Sequence, residues 1–460
     1  MMKLSKKYEI DMCNGPILSK MLLFAIPLMF SSMLQLLFNA ADIIVVGQFA
    51  GGNSLAAVGS TSALINLLTN LFIGLSVGAN VLAARYFGAK QEDNLSKTVH
   101  TAITISIIGG CILTVIGFVG APAILRLMST PTNVLDLAIL YLRVYFIGMP
   151  AMMVYNFGAA LLRAQGDTRR PLVFLTIAGV INVILNLIFV ILIQMDVAGV
   201  ALATVISQCI SAILVVMTLI KGSDGMKLEL SKLNIHKDMF IKILQIGLPA
   251  GFQGTLFSLS NVVIQSSINT FGEITVEGSA AASNIEGFVY MAMNAFHQAA
   301  VSFTSQNVGA GRYERVNKIL LTALGAVTVV GLVLGNLAYI FAEPLLGLYT
   351  KNPAAIEQGV IRLSIICTTY ALCGVMDVMV GSLRGLGYSI APMIVSLLGA
   401  CAFRIVLLST IFNIDMFHKI ETVYLSYPVS WILTFGAHIV TYFVVRKSMN
   451  KRLGIISIEK

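Results

Sequence analysis

The sequence predicts an all-α polytopic membrane protein, with twelve transmembrane helices in two six-helix lobes related by an internal repeat. Three observations carry this. The chain is 57% hydrophobic and only 11% charged, against about 25% charged in an ordinary soluble domain, and its mean hydropathy is +0.88. Twelve long apolar segments follow one another with mostly short connections, roughly 20–48, 54–84, 97–120, 134–163, 170–193, 197–220, 242–271, 278–308, 317–342, 355–385, 389–412 and 421–446. Landmarks of the first half return in the second at a nearly constant spacing.

The first segment, Lys20 to Gln48, holds 29 residues of which only Lys20 and Asp42 are charged. At about 1.5 Å per residue it is long enough to cross a hydrocarbon core of about 30 Å with some tilt. It is too long and too polar at its far end for a cleaved signal peptide, and no small-residue cleavage site follows a short apolar core. Short connections make neighbouring segments antiparallel hairpins. The longest connection is polar, KGSDGMKLELSKLNIHKDMFI at 221–241, and divides the chain near its midpoint. The expected organisation is a first lobe over 1–220, a cytoplasmic linker over 221–241, and a second lobe with a short tail over 242–460.

Orientation follows from lysine and arginine. Assigning alternate connections to alternate sides places 24 of the 30 basic residues on one side. They include Lys3, Lys6, Lys7 and Lys20, the linker lysines, and the tail from Arg446. Basic loops stay inside, so both termini are expected in the cytoplasm of a prokaryotic plasma membrane. The net charge of +9 is therefore a topology signal, and nucleic acid is not an expected partner. The six cysteines are scattered without a CxxC pair. They read as small buried apolar residues, with neither metal site nor cofactor expected.

The repeat is explicit. Leu162-Arg163-Ala164-Gln165-Gly166 with Pro171 returns as Leu383-Arg384-Gly385-Leu386-Gly387 with Pro392, all at one offset. At an offset one position larger, Pro27 maps to Pro249, Pro122 to Pro344 and Pro131 to Pro353. Six helices per half make these repeats of the same orientation, related by an axis along the membrane normal. Transporters built from repeats of this kind often hold substrate between them and rock one against the other.

Depth in the bilayer follows from the assigned sides. Asp42, Asn186 and Thr204 each lie six or seven residues from the outer end of their segments, roughly 10 Å below the outer surface at about 1.5 Å per residue. Asn182 is one turn deeper on the face of Asn186. An ionisable residue inside a spanning segment is costly and marks a functional site by default. A carboxylate, two carboxamides and a hydroxyl at one level could hold a proton in a hydrogen-bond network, or Na+ on oxygen ligands. Interhelical hydrogen bonding alone is the plainer account of Asn182 or Thr204.

In the second half, Glu286 and Arg404 reach equal depth and are expected to pair, as a structural or gating ion pair or as substrate contacts. Asp377, His297 and His438 lie toward the cytoplasmic side, as a second titrating cluster or a satisfied polar patch. Gly74-x-x-x-Gly78 and Gly381-x-x-x-Gly385 are expected at close helix contacts.

Several of these residues together resemble the multidrug and toxic compound extrusion family, within the superfamily that also holds lipid-linked oligosaccharide flippases. They are Pro27 through Asp42-Ile-Ile-Val-Val-Gly47, Gln306-Asn307-Val308-Gly309-Ala310-Gly311, Leu-Arg-x-x-Gly at both repeat positions, and Gly199-x-Ala201-x-Ala203-Thr204. The resemblance spans the chain. It implies secondary antiport of amphipathic, often cationic drugs against H+ or Na+, by alternating access of two lobes, with the protein working as a monomer in membrane lipid. It also implies a first-lobe cation site on Asp42, Asn182, Asn186 and Thr204. Some members carry Asp at the second asparagine position; Asn186 leaves one formal negative charge here, which weakens the case for Na+.

A lipid-linked oligosaccharide flippase is the alternative, and a cleft lined by several basic residues would favour it. Only Arg143, Arg362 and Arg404 fall plausibly at depth. The chain has no HExxH, no paired aspartate-rich motifs and no GxxxxGK[ST], so it does not read as an enzyme.

Overall fold

Proline, glycine and back-bonded hydroxyls decide where the long apolar segments stay straight and where they break. The structure, a computed structural model, describes residues 8–452 apart from 129 and 224. Lys3, Lys6, Lys7 and the tail beyond residue 452, which entered the charge argument, lie outside the described residues.

In the first half, α1 (Ile17–Val45) runs on into a π-helical turn at Val46–Ala50, and α2 (Gly52–Gly88) and α3 (Glu92–Leu127) follow. Next, α4 (Thr132–Ile147) and α5 (Met149–Ala164) meet at a 47° bend at Gly148. Pro150 at the start of α5 supplies no amide to continue the ladder from α4. Then α6 (Arg169–Leu187) ends in a second π-helical turn, Ile188–Leu192, before α7 (Asp196–Ile220).

In the second half, α8 (Lys237–Asn269), α9 (Glu273–Gly309) and α10 (Tyr313–Ile340) precede a short α11 (Ala342–Leu346). A 50° bend separates α12 (Pro353–Ile366) from α13 (Ala371–Gly385). Thr368 and Thr369 donate back to the carbonyls of Ser364 and Ile365 at 2.6 and 2.7 Å, which bends helices at such points. Finally α14 (Ile390–Ser396) and α15 (Phe403–Thr410) flank a π-helical turn at Leu397–Ala402, and α16 (Ile420–Arg452) closes the chain.

Eight helices among the described residues are long and apolar enough to cross a membrane, and each bent pair counted as one span makes ten. At 33 and 37 residues, α8 and α9 complete the twelve. Gln253, Asn261 and Gln265 in α8, and Asn284, Glu286, Asn294 and His297 in α9, keep these two from holding a stretch as apolar as the eight have. Outward faces are apolar where lipid would lie. In α3, Ile108, Ile112, Val115 and Val119 form an exposed stripe at helical spacing.

The chain folds as two units. One comprises Met1–Gly15, Leu22–Thr255 and Ser305–Arg312; the other comprises Pro16–Met21, Leu256–Thr304 and Tyr313–Lys460. Within the first, the 221–241 stretch is docked rather than free. Met226, Leu228 and Met239 are buried with Leu95 and Val99 of α3. The Glu229 and His236 amides donate to His100 Nε2 and Thr101 Oγ1, each at 3.1 Å.

Both small-residue motifs sit at close contacts, as expected. A Cβ at Gly74 would fall on the backbone of Gly251, and one at Gly78 would meet the Gly247 nitrogen at 2.9 Å. In the second unit, Gly381 and Gly385 of α13 face His297 and Val301 of α9, whose carbonyl oxygens would lie 2.7 and 2.9 Å from the added carbons. Lipid gives apolar helices no hydrophobic reason to associate, so close packing of this kind supplies part of the attraction.

Candidate functional site

Three helices of the first unit bring the four first-half candidates together. Asp42 lies three residues before the end of α1, Asn182 and Asn186 one turn apart on α6, and Thr204 two turns into α7. Asn186 Nδ2 donates to Asp42 Oδ1 in a short hydrogen bond and lies 3.3 Å from Asn182 Oδ1. Asn182 Nδ2 reaches Thr204 Oγ1 at 3.4 Å, and Thr204 Oγ1 lies 3.5 Å from Asp42 Oδ2. Both asparagines are buried.

The helices are irregular where this network forms. The π-helical turn Val46–Ala50 follows Asp42 by one helical turn, and Ile188–Leu192 follows Asn186 directly. Such turns re-aim the side chains before them and occur often at functional sites. On α4, Tyr141 and Tyr145 stack with ring centroids 5.8 Å apart and lie within electrostatic reach of Asp42. Sequence reasoning missed both. Their i, i+4 spacing put them on one face of α4, but nothing in the sequence told which face met α1.

The hydrogen-bond pattern accepts either charge state of Asp42. When the carboxylate is charged, Thr204 Oγ1–H can donate to Oδ2. When it is protonated, Oδ2–H can donate to Thr204 Oγ1, whose own hydrogen turns to the Val200 carbonyl at 3.0 Å. Asn186 Oδ1 is buried with no hydrogen-bond partner. An unsatisfied buried oxygen beside a carboxylate is the kind of acceptor that a proton donor or a small cation completes. Among the described residues no cluster of three or more His, Cys, Asp or Glu could hold a metal ion.

In the second unit the expected Glu286–Arg404 pair does not form. Glu286 is bound by Arg362 of α12, through Nε–Oε1 at 2.7 Å and Nη2–Oε2 at 2.9 Å, while Arg362 Nη1 donates to Ser279 at 2.7 Å. Equal depth fixed one coordinate only. Arg404 turns instead toward α16, donating to Ser430 Oγ at 2.7 Å, with its guanidinium 4.2 Å from the Tyr427 ring centroid.

The second expected cluster is partly assembled. His297 Nδ1 donates to the Asp377 carbonyl at 2.7 Å, and Tyr290 hydrogen-bonds the Asp377 side chain. His438 bonds Ser396 at 3.0 Å. Arg384, of the repeated Leu-Arg-x-x-Gly, lies within electrostatic reach of Asp377 and both histidines.

With this geometry in view, comparison with known proteins decides the family. The MatE family model matches twice, over residues 27–188 and 249–410. The chain belongs to the MatE family of membrane transporters. Both ends of the first match map onto those of the second at the spacing that carries Pro27 onto Pro249.

Among relatives, the chain is 28% identical over 446 residues to a Bacillus subtilis protein named "Probable multidrug resistance protein YoeA", covering 94% of this chain and 95% of that one. It is 23% identical to a Shewanella oneidensis protein named "FAD transporter", over 84% and 86% of the two chains. It is also similar to a solved structure described as the outward-facing conformation of a multidrug resistance MATE family transporter. That match has a TM-score of 0.88 at 21% identity and covers 96% of this chain and 98% of the other. The fold is therefore that of this MatE transporter.

Proposed function

We propose that this MatE transporter is a secondary antiporter that exports amphipathic small molecules in exchange for H+ or Na+ by alternating access, with Asp42 carrying the exchange. The observation that supports it best is the Asp42 network, whose hydrogen bonds can close around either the charged or the protonated carboxyl. The relatives named for multidrug resistance support the substrate class. In this reading both termini are cytoplasmic.

Open to the exterior, Asp42 takes up a proton, or the site takes Na+, and the cytoplasm-derived compound leaves. Open to the cytoplasm, the carboxyl discharges and becomes a counter-charge for the next cationic compound. Exchange of one H+ or Na+ for a monocation is electroneutral and is driven by the ion gradient alone. Exchange for a neutral compound moves one charge, to which 100 mV contributes about 2.3 kcal/mol, enough for a gradient of roughly fifty-fold.

The test is efflux of a cationic dye from proteoliposomes under separately imposed pH and Na+ gradients, with thermal melting as the folding control. Asp42→Asn keeps the shape of the protonated carboxyl but cannot cycle. It should fold, reach the membrane and lose gradient-driven efflux, while Asp42→Glu retains part of it. A well-folded Asp42→Asn protein exporting at the wild-type rate under both gradients would sink this mechanism.

A further inference from the structure

The second unit buries a cation without a counter-charge. Arg404 is 5% exposed, and among the described residues no carboxylate lies within ion-pair distance of it. Its hydrogen bond goes to a neutral hydroxyl, Ser430 Oγ. Its planar faces are occupied by aromatic rings, with Tyr427 at 4.2 Å and Trp431 at 5.7 Å from the guanidinium carbon to the ring centroids. Tyr370 stacks on Trp431 at 5.5 Å and extends the wall. Ring faces offset part of the desolvation of a guanidinium but leave its Nη donors unused. Arg362 shows the contrast, since it spends its donors on Glu286 and Ser279.

The repeat gives Arg404 a meaning that its position alone would not. At the spacing of the two family matches, one residue longer than that of Pro171 and Pro392, Asn182 falls on Arg404 and Asp42 falls on Ile264. The second half therefore carries an isoleucine at the place of the acid and a guanidinium at the place of an amide. In the first unit Asn182 bonds Asn186 and Thr204, the two residues that attend the Asp42 carboxylate, so a neutral member of that network stands where the second unit has a guanidinium. A duplicated site with its charge inverted suits a ligand of the opposite sign.

We propose that Arg404, with Tyr427 and Trp431, forms a binding site for anionic aromatic compounds, in which a carboxylate or phosphate engages the Nη donors and a planar ring stacks on the aromatic wall. Tyr427, whose ring covers the guanidinium, is half-buried, so a planar ligand would approach from its side and take the place of its ring. This goes beyond the exchange at Asp42, and a binding measurement tests it without any transport assay.

Trp431 is the single tryptophan of the chain, so its fluorescence reports this site alone. The full chain in phosphatidylcholine nanodiscs is titrated with 4-nitrobenzoate and with its neutral isostere 4-nitrobenzamide, both of which quench indole on contact. The anion should bind at least about tenfold more tightly than the amide, as expected of a charge-assisted, bidentate guanidinium contact. Arg404→Gln should bring the two within about twofold, and Arg404→Lys, which keeps charge but not the fork, should fall between.

Equal affinity of the wild type for anion and amide would overturn the proposal, and that comparison needs no variant to fold. Anion preference surviving in a folded Arg404→Gln protein would overturn it as well. The titration is repeated in phosphatidylglycerol nanodiscs. Unchanged selectivity supports an aromatic ligand, whereas its loss would mean that a lipid phosphate holds the guanidinium and would overturn the assignment.

Discussion

The Glu286–Arg362 contact invites a double-mutant cycle, because its geometry predicts a large and strongly non-additive effect. Both residues are 6% exposed. Two parallel hydrogen bonds at 2.7 and 2.9 Å join them, Ser279 takes a third at 2.7 Å, and the Tyr424 ring lies 5.5 Å from the guanidinium carbon. Removing the carboxylate strands a desolvated guanidinium that keeps only a hydroxyl and a ring face. Breaking a buried pair in this way costs about 3–5 kcal/mol, while replacing both partners by neutral groups costs far less. Glu286→Gln and Arg362→Gln should therefore each destabilise by about 3–5 kcal/mol, and the double variant should recover about 2–3 kcal/mol relative to their sum. Denaturant unfolding in mixed micelles measures all four corners. Glu286→Gln combined with Arg404→Gln is the control and should be additive within about 0.5 kcal/mol, since these residues share no contact. Additivity in the Arg362 cycle, or coupling in the Arg404 cycle, would refute the reasoning.

Three further outcomes follow from packing and burial. Gly78→Ala should cost about 1–3 kcal/mol in the same unfolding assay, because the new carbon meets the Ile243 carbonyl and the Gly247 nitrogen, both of them backbone. Gly325→Ala in α10, where nothing lies within 4 Å of the new carbon, should instead stabilise by about 0.5–1 kcal/mol. At the start of α6, outside the span, Asp167 Oδ1 accepts from the Arg169 and Arg170 amides at 3.2 and 3.1 Å, and Oδ2 pairs with Arg170. Burial pushes this carboxyl above its ordinary range despite the opposing pull of Arg170. A raised carboxyl binds its proton more tightly folded than unfolded, so its contribution to stability falls as pH rises above about 4 through its folded value. The melting temperature of wild type minus that of Asp167→Asn should decline over that window and level off above it, and a difference that rises instead would be inconsistent with burial as the dominant cause.

Legibility in the sequence divided along the helix coordinates. Position along a helix can be counted from its ends, and counting placed Asp42, Asn186 and Thr204 at one level with Asn182 a turn away; the structure brings these four side chains together. Rotation about the helix axis cannot be counted when lipid-facing and core-facing positions are equally apolar. For that reason depth alone pairs Glu286 with Arg404 where the structure has Arg362, and gives no sign of the Tyr141–Tyr145 pair beside Asp42. The bends were half legible. Gly148 and Pro150 mark one of them, but the turn between α12 and α13 depends on hydroxyls of Thr368 and Thr369 folding back on their own helix, a choice that apolar neighbours do not announce.

The repeat separates what a helical scaffold needs from what a site needs. Backbone features recur at nearly one spacing, as with Pro27 and Pro249, Pro122 and Pro344, and Leu-Arg-x-x-Gly with its following proline. These set helix starts, kinks and close approaches, which any six-helix unit in lipid must get right, because unsatisfied backbone groups there have no water to turn to. Apart from the arginine of Leu-Arg-x-x-Gly, side chains that carry charge at depth do not recur. At the spacing of Pro27 and Pro249, one residue longer than that of Pro171 and Pro392, Asp42 has become Ile264, Asn182 has become Arg404, and Glu286 stands where the first half has Leu64. A buried charge is costly wherever it lies, so packing alone gives no reason to place one, and each survives only where a partner or a ligand offsets it. Arg362 offsets Glu286, and the Asn186 amide with the Thr204 hydroxyl attends Asp42. Arg404 has rings and a serine, which leaves its charge to be met from outside the chain.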